Sequence, residues 1–350
     1  MTTPAVHDRN KDGRDTTAQA VTDESREQRT AVEAVSRGFR AQLEQFLAFA
    51  SLIAIFLFFS IASSNFLNYS NVTAILFSTV VIGLLALGTT FVIITGGIDL
   101  SVGTGMTLCS VISGVLIVKT GVPVLPGVIG AVLFGGLIGL VNGFNVSILR
   151  IPPFIATLAM MLVAQGLALV IAHSTPIYFT NAPGYTKIST GHLFGVDFPN
   201  AVLVLAAAVV VSAVVLNKTV LGRYTYSIGS NEEATALSGI DTRRWKILIY
   251  TLAGLFTGLA GVMISARLAS AQPGTGLGYE LQAIAAVVIG GTSLSGGKGS
   301  IVGTVIGALI ISVLNNGLQI MSIAQEWQNV ILGIVILVAV YADMARKRAI

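Results

Sequence analysis

Thr95–Gly105 reads TGGIDLSVGTG, and long apolar runs at 73–95 and 100–119 flank it. Asp99 is the only acid between Glu44 and Asp197. A carboxylate inside hydrocarbon is expensive. The expense falls if the two runs are separate membrane spans, because Asp99 then sits in the turn between them, near the surface. Gly96 and Gly97 can end one helix, and Asp99 or Ser101 can cap the next, which starts at Ser101–Gly103. The stretch therefore reads as an organised helix break. Its functional version is a hinge. A sugar-binding or proton-carrying role for Asp99 is the weaker reading.

The composition extends this reading to most of the chain. Of 350 residues, 54% are hydrophobic and 10% charged, and the mean hydropathy is +0.84. A water-soluble domain carries about 25% charged residues. The expected class is an all-α integral membrane protein. The 38 glycines fit closely packed membrane helices. The single cysteine, Cys109, reads as a small packed hydrophobe, and His7, His173 and His192 lack metal-ligand spacing. The net charge of +4 comes from loops and tails and reads as a topology signal, not as nucleic-acid binding.

Residues 1–45 differ, with eight acids and seven bases. They read as a solvated, disordered tail, with an amphipathic helix over 31–46 leading into the membrane. Nothing there reads as a secretory signal. Spans need about 20 apolar residues each. The candidates are 46–63, 73–95, 100–119, 123–148, 154–173, 199–216, 246–266, 280–292, 300–321 and 328–345, with the eighth short enough to be broken or re-entrant. With both termini inside, the inner side holds twelve juxtamembrane Lys and Arg residues and the outer side three, Lys119, Lys187 and Arg267. That asymmetry sets both termini on the cytoplasmic side. The membrane domain is 46–345, followed by a tail at 346–350.

Two loops are long. The outer one, 174–198, has the prolines and aromatics of an ordered cap. The inner one, 217–245, contains a short helix signature. Ser230 or Asn231 can cap it, Glu232 and Glu233 suit its first turn, and Gly239 can end it. Two turns do not stand alone in water, so this helix needs a partner or its own domain to pack on.

GGTSLSGGKGS, Gly290–Ser300, is not a Walker A loop: Thr292 stands where a glycine is required, and Gly299 follows Lys298. Nucleotide hydrolysis would fall to another chain. No acid–base pair or metal set stands out, and intramembrane ionisable groups are too few for an ion relay. Asn142, Asn145, Gln165, Asn315, Asn316 and Gln319 lie in or near apolar helices. Each alone fits interhelical bonding; as a group they suit a path for a neutral, hydroxyl-rich solute.

TGGIDLSVG, LGRYTYSIGSNEEATALSGID (Leu221–Asp241), the run Ala266–Ile310 and LNNGL (Leu314–Leu318) together resemble the membrane permeases of bacterial ABC sugar importers. The resemblance covers 46–345. It implies a type II importer fold of about ten helices per copy, paired as a homodimer or with a related permease. It also implies two cytoplasmic ATPase domains that use ATP and Mg, an extracytoplasmic sugar-binding protein, and a bacterial inner-membrane location. Ribose is the expected cargo, with other monosaccharides and polyols as alternatives. An ion-coupled carrier is the rival class, and a membrane enzyme the least favoured. Asn231, Glu232, Glu233, Leu237, Ser238 and Gly239 match the family's ATPase-coupling region. The tail 1–45 is longer and more charged than the family pattern.

Overall fold

The computed structural model describes residues 46–192 and 198–348. The chain separates into two units, Met1–Leu47 and Ala48–Ile350. The expected charged tail, its amphipathic helix, and positions 193–197 of the outer loop lie outside the described residues. The second unit is helical. Its helices are α1 (Phe46–Ala62), α2 (Tyr69–Ile94), α3 (Val102–Gly114, continued by a π-helical turn, Val115–Lys119), α4 (Val124–Ser147) and α5 (Pro153–Ala172). Next come β1 (Ile177–Tyr178), α6 (Pro183–Thr190), α7 (Asn200–Lys218), α8 (Val220–Ser230), α9 (Glu232–Leu237) and α10 (Thr242–Leu268). The chain closes with β2 (Ser270–Ala271), α11 (Tyr279–Ile289), α12 (Ile301–Ile320) and α13 (Gln325–Arg348).

Seven of the described helices are long and apolar enough to cross a membrane, and α1, α11 and the Gln325–Tyr341 part of α13 are shorter apolar helices. A helix apolar on all sides belongs in the interior of a bundle. α2 is the example: 89% of its apolar window is buried, against 22% for α5. Leu84, Leu85, Leu87 and Phe91 of α2 have no exposed surface. On α4, the exposed side chains Leu125, Ile129, Leu133, Leu137 and Leu140 recur at helical spacing and form an outward apolar stripe.

α10 packs on α2, α3 and α4, and α12 packs on α2 and α11. The α4–α10 contact is backbone to backbone. A Cβ on Gly139 would lie 2.1 Å from the Tyr250 carbonyl oxygen, and one on Gly254 would lie 2.2 Å from that of Gly135. Close approach of small residues is how membrane helices gain van der Waals contact when lipid already satisfies apolar surface.

The eighth candidate, 280–292, is short, as its sequence suggests. Its helix, α11, is 11 residues long, about 16 Å at 1.5 Å per residue, or half of a ~30 Å hydrocarbon core. The non-helical stretch Gln272–Gly278 links it to β2, whose partner β1 lies in the expected outer loop. Irregular backbone is tolerated at such depth only when protein covers it or it lines a cavity. Here α3 covers it: a Cβ on Gly276 would lie 2.0 Å from the Gly103 carbonyl oxygen.

The 174–198 segment is docked by a buried aromatic. Tyr185 stacks on Phe179 at 4.0 Å between centroids, and its hydroxyl bonds Ser113 at 2.9 Å and Ser265 at 2.6 Å.

Candidate functional site

Three structures converge from the sequence-derived candidates. The first is the α8–α9 platform. Asn231 is the N-cap of α9, and its Oδ1 accepts from the Ala234 N–H at 2.9 Å. Glu232 and Glu233 occupy the first turn, where the helix dipole favours acids. Glu232 also pairs with Lys246 of α10. Ser238 is the C-cap, and Gly239, at φ +83°, turns the chain toward α10. Leu237 is 84% exposed.

Sequence reasoning missed how this platform holds the bundle. α8 grips the ends of α2 and α12. Tyr226 donates to the Gly299 carbonyl at 2.8 Å, and Gly297 N–H donates to the Ile94 carbonyl at 2.8 Å. Burial raises the Tyr226 hydroxyl pKa above its ordinary value, so it stays a donor. Gly229 lies against that junction, where a Cβ would be 1.7 Å from the Ile94 oxygen. The glycine-rich loop that mimics a phosphate loop is thus a brace beneath α8, with Gly291, Gly296 and Gly297 at positive φ. Its signal in the sequence was the glycines themselves, at 229 and 296–299.

The second structure is the Thr95–Gly105 break. Gly96 at φ +80° turns α2 off. Asp99 is 3% exposed, and its Oδ1 accepts from the Ser101 N–H at 2.8 Å and the Ser101 hydroxyl at 2.6 Å. Ser101 is the N-cap of α3, but its side chain bonds no helix N–H. The expected cap is therefore an Asp99-held turn. Asn142 donates to the Ser101 hydroxyl at 2.8 Å, and Thr157 bonds the Leu100 N–H at 3.1 Å and the Ile98 carbonyl at 3.1 Å. A Cβ on Gly97 would meet the Tyr250 hydroxyl at 2.5 Å. α4, α5 and α10 all close on this turn. Gly103 faces the other way, with a Cβ position 2.3 Å from Glu280 Oε2.

The third is a cavity of about 790 Å³ among α2, α11, α12 and α13. Its wall holds Tyr279, Glu280, Gln282, Asn315, Gln319, Gln325, Gln328 and Asn329. Asn315 donates to Gln282 Oε1 at 3.2 Å. Of the six polar candidates from the sequence, Asn315 and Gln319 line this cavity. Gln165 lies across the irregular stretch, beside Thr104, Pro273 and Gly276. Asn142 donates its Nδ2 into the Asp99 turn, and Asn316 Nδ2 donates to Asn71 Oδ1 at 2.9 Å. Asn145 sits near the end of α4, where its carbonyl accepts from Ile151 N–H at 3.1 Å. Among the described residues no group of His, Cys, Asp and Glu could hold a metal ion.

Residues 71–340 match the family model described as branched-chain amino acid transport system / permease component. The ribose import permease protein RbsC of Bacillus subtilis is 45% identical over 313 residues, which are 89% of this chain and 95% of that protein. The Escherichia coli protein of the same name is 44% identical over 303 residues, 85% of this chain and 94% of the relative. The xylose transport system permease protein XylH of Escherichia coli is 34% identical over 365 aligned positions, 87% of this chain and 93% of the relative. No solved structure matches the chain.

Proposed function

The chain belongs to the branched-chain amino acid transport system / permease component family, and from that premise we propose that it is the membrane permease subunit of an ATP-driven importer whose cargo is ribose. It is not an enzyme: ATP hydrolysis resides in separate partner subunits. The family description mentions amino acids, whereas the relatives above are named for pentoses. The cavity favours the sugar. Its polar wall is mostly neutral amides with one carboxylate, Glu280. A zwitterionic amino acid would require fixed charges of both signs.

The observation that carries the coupling part is the exposed α9. A capped helix of one and a half turns, with Leu237 bare and two acids in its first turn, suits docking on a cytoplasmic ATPase that uses ATP and Mg. The braces from Tyr226, Gly229 and Gly297 give that contact a direct route to α2 and α12. In this reading nucleotide-driven movement of α8–α9 shifts α2, α11 and α12 around the cavity. The Asp99 turn, clamped by α4, α5 and α10, is the pivot. Differential contacts in the two states drive the switch.

Three further parts belong to this reading. The seven long and three shorter apolar helices support ten crossings, with both termini cytoplasmic and the protein in the bacterial inner membrane. Two copies, or this chain and a related permease, surround the translocation path. An extracytoplasmic sugar-binding protein delivers cargo at the end that carries β1, β2 and α6. The chain itself binds no cofactor.

Replacing Glu232 and Glu233 together with Lys tests the coupling assignment. The expected result is normal membrane insertion with loss of ATPase assembly and of transport. Full assembly and transport in the double variant would overturn it.

A further inference from the structure

The 790 Å³ cavity holds a feature that a passive path does not require. Asn315 and Gln282 share one hydrogen bond, Nδ2 to Oε1 at 3.2 Å. The other half of each amide, Asn315 Oδ1 and Gln282 Nε2, bonds no described residue. An amide pair joined this way leaves one acceptor and one donor side by side. That is the complement of two neighbouring hydroxyls, one donating and one accepting. Close by in the same wall, Glu280 is 6% exposed. Its Oε1 accepts from the Gly278 N–H at 2.9 Å, and its Oε2 is turned against Gly103 of α3, away from the cavity. Tyr279 contributes an aromatic face to the wall. The volume is that of a small-molecule site, for which about 300–1,000 Å³ is usual.

We propose that this cavity is a selective site for a neutral solute bearing vicinal hydroxyls, read by the Gln282–Asn315 amide pair. The inference rests on the permease reading above and deepens it: the permease chain itself discriminates its cargo, in addition to any selection by a delivery protein. Binding is weak, because the cavity is several times the volume of one monosaccharide and holds it on few contacts. Release to the far side requires that weakness.

The double substitution Gln282→Leu with Asn315→Leu is the cleanest probe. Removing both partners of a hydrogen bond leaves no orphan behind, and such replacements are near neutral for folding. The first measurement uses purified permease in lipid nanodiscs with Trp245→Phe, so that Trp327, next to the cavity residues Gln325 and Gln328, is the remaining fluorophore. Ribose titration is expected to give a saturable change in the millimolar range, with 2-deoxyribose at least fivefold weaker. In the double variant the ribose midpoint rises at least tenfold and the preference over 2-deoxyribose disappears. The second measurement is ATP-driven ribose uptake by the complete importer in vesicles. There the double variant raises KM for ribose. Equal ribose and 2-deoxyribose responses in the parent protein, or a double variant with unaltered midpoint and KM, would overturn the site and leave the permease reading intact. Absence of ATP-driven uptake by the parent importer would instead sink the permease reading.

Discussion

Gly229→Ala is the sharpest single perturbation of the coupling route. Gly229 lies where α8 meets the end of α2, and the missing side chain is the reason it fits. An added Cβ would fall 1.7 Å from the Ile94 carbonyl oxygen and 2.6 Å from the Gly297 nitrogen. An ordinary C···O approach is ~3.3 Å or more, so the two backbones must part by roughly 1.6 Å. Both neighbours are backbone atoms, and no side-chain rotation can relieve them. The 2.8 Å bond from Gly297 N–H to the Ile94 oxygen runs through the same point and would be lost. Overpacking costs ~1–3 kcal/mol, and stranding a buried backbone acceptor adds ~1–3 kcal/mol. The expected penalty is therefore about 2–6 kcal/mol, localised between α8 and α2. The assay has two arms, thermal unfolding of the detergent-purified permease and ATP-driven uptake by the reconstituted importer. The expectation is a lower unfolding temperature, retained insertion, and uptake reduced at least thirtyfold. Gly239→Ala is the control: nothing lies within 4 Å of its Cβ position, and only its φ of +83° resists. Its expected cost is about 1 kcal/mol. If Gly229→Ala transported at the parent rate with unchanged unfolding, α8 would not be rigidly joined to α2 and the coupling route would be wrong.

Other perturbations read neighbouring parts of the account. Leu237→Ser removes an apolar side chain that is 84% exposed in the isolated chain; burying a leucine is worth ~1.5–3 kcal/mol, so ATPase affinity measured by pull-down titration should fall 10–100-fold with unfolding unchanged. Asn231→Ala deletes the α9 cap, costing about 1 kcal/mol, and should weaken that same affinity several-fold, whereas Asn231→Asp should keep it. Asp99→Asn retains an Oδ1 acceptor for the Ser101 N–H and hydroxyl and should fold normally. Asp99→Ala removes both bonds, and its purified yield or unfolding temperature should drop clearly below that of Asp99→Asn.

Much of the helical layout was legible in the residues, because apolar runs of membrane length announce themselves. The break at Gly96–Ser101 and the cap at Asn231 were legible too, since each rests on local chemistry within four residues. That the eighth candidate, 280–292, is short was legible too, but the packing of the non-helical stretch before it was not. Gln272–Gly278 lies against Gly103 of α3, more than 160 residues away, a contact that no local pattern encodes. The same holds for the cavity. Asn315 stood out as a polar residue in an apolar run, but Gln282 stands near the start of a short helix, and Gln325, Gln328 and Asn329 sit where polar residues are ordinary. Asn142 and Asn316 carried the same signal as Asn315, and only the fold shows that their Nδ2 groups donate to Ser101 and Asn71, away from the cavity. The brace under α8 was hidden in a different way. Its glycines at 229 and 296–299 serve close backbone approach, and a sequence shows the absent side chain without showing what comes near it.

The central claim is that this chain moves a monosaccharide only when a separate ATPase drives it through α8–α9. The direct measurement is ribose uptake into proteoliposomes holding the permease, with its ATPase and sugar-binding protein added or withheld. The account predicts uptake that requires Mg-ATP and both partners and does not respond to a proton or sodium gradient. Uptake by the permease alone, driven by an ion gradient with no ATPase present, would contradict it.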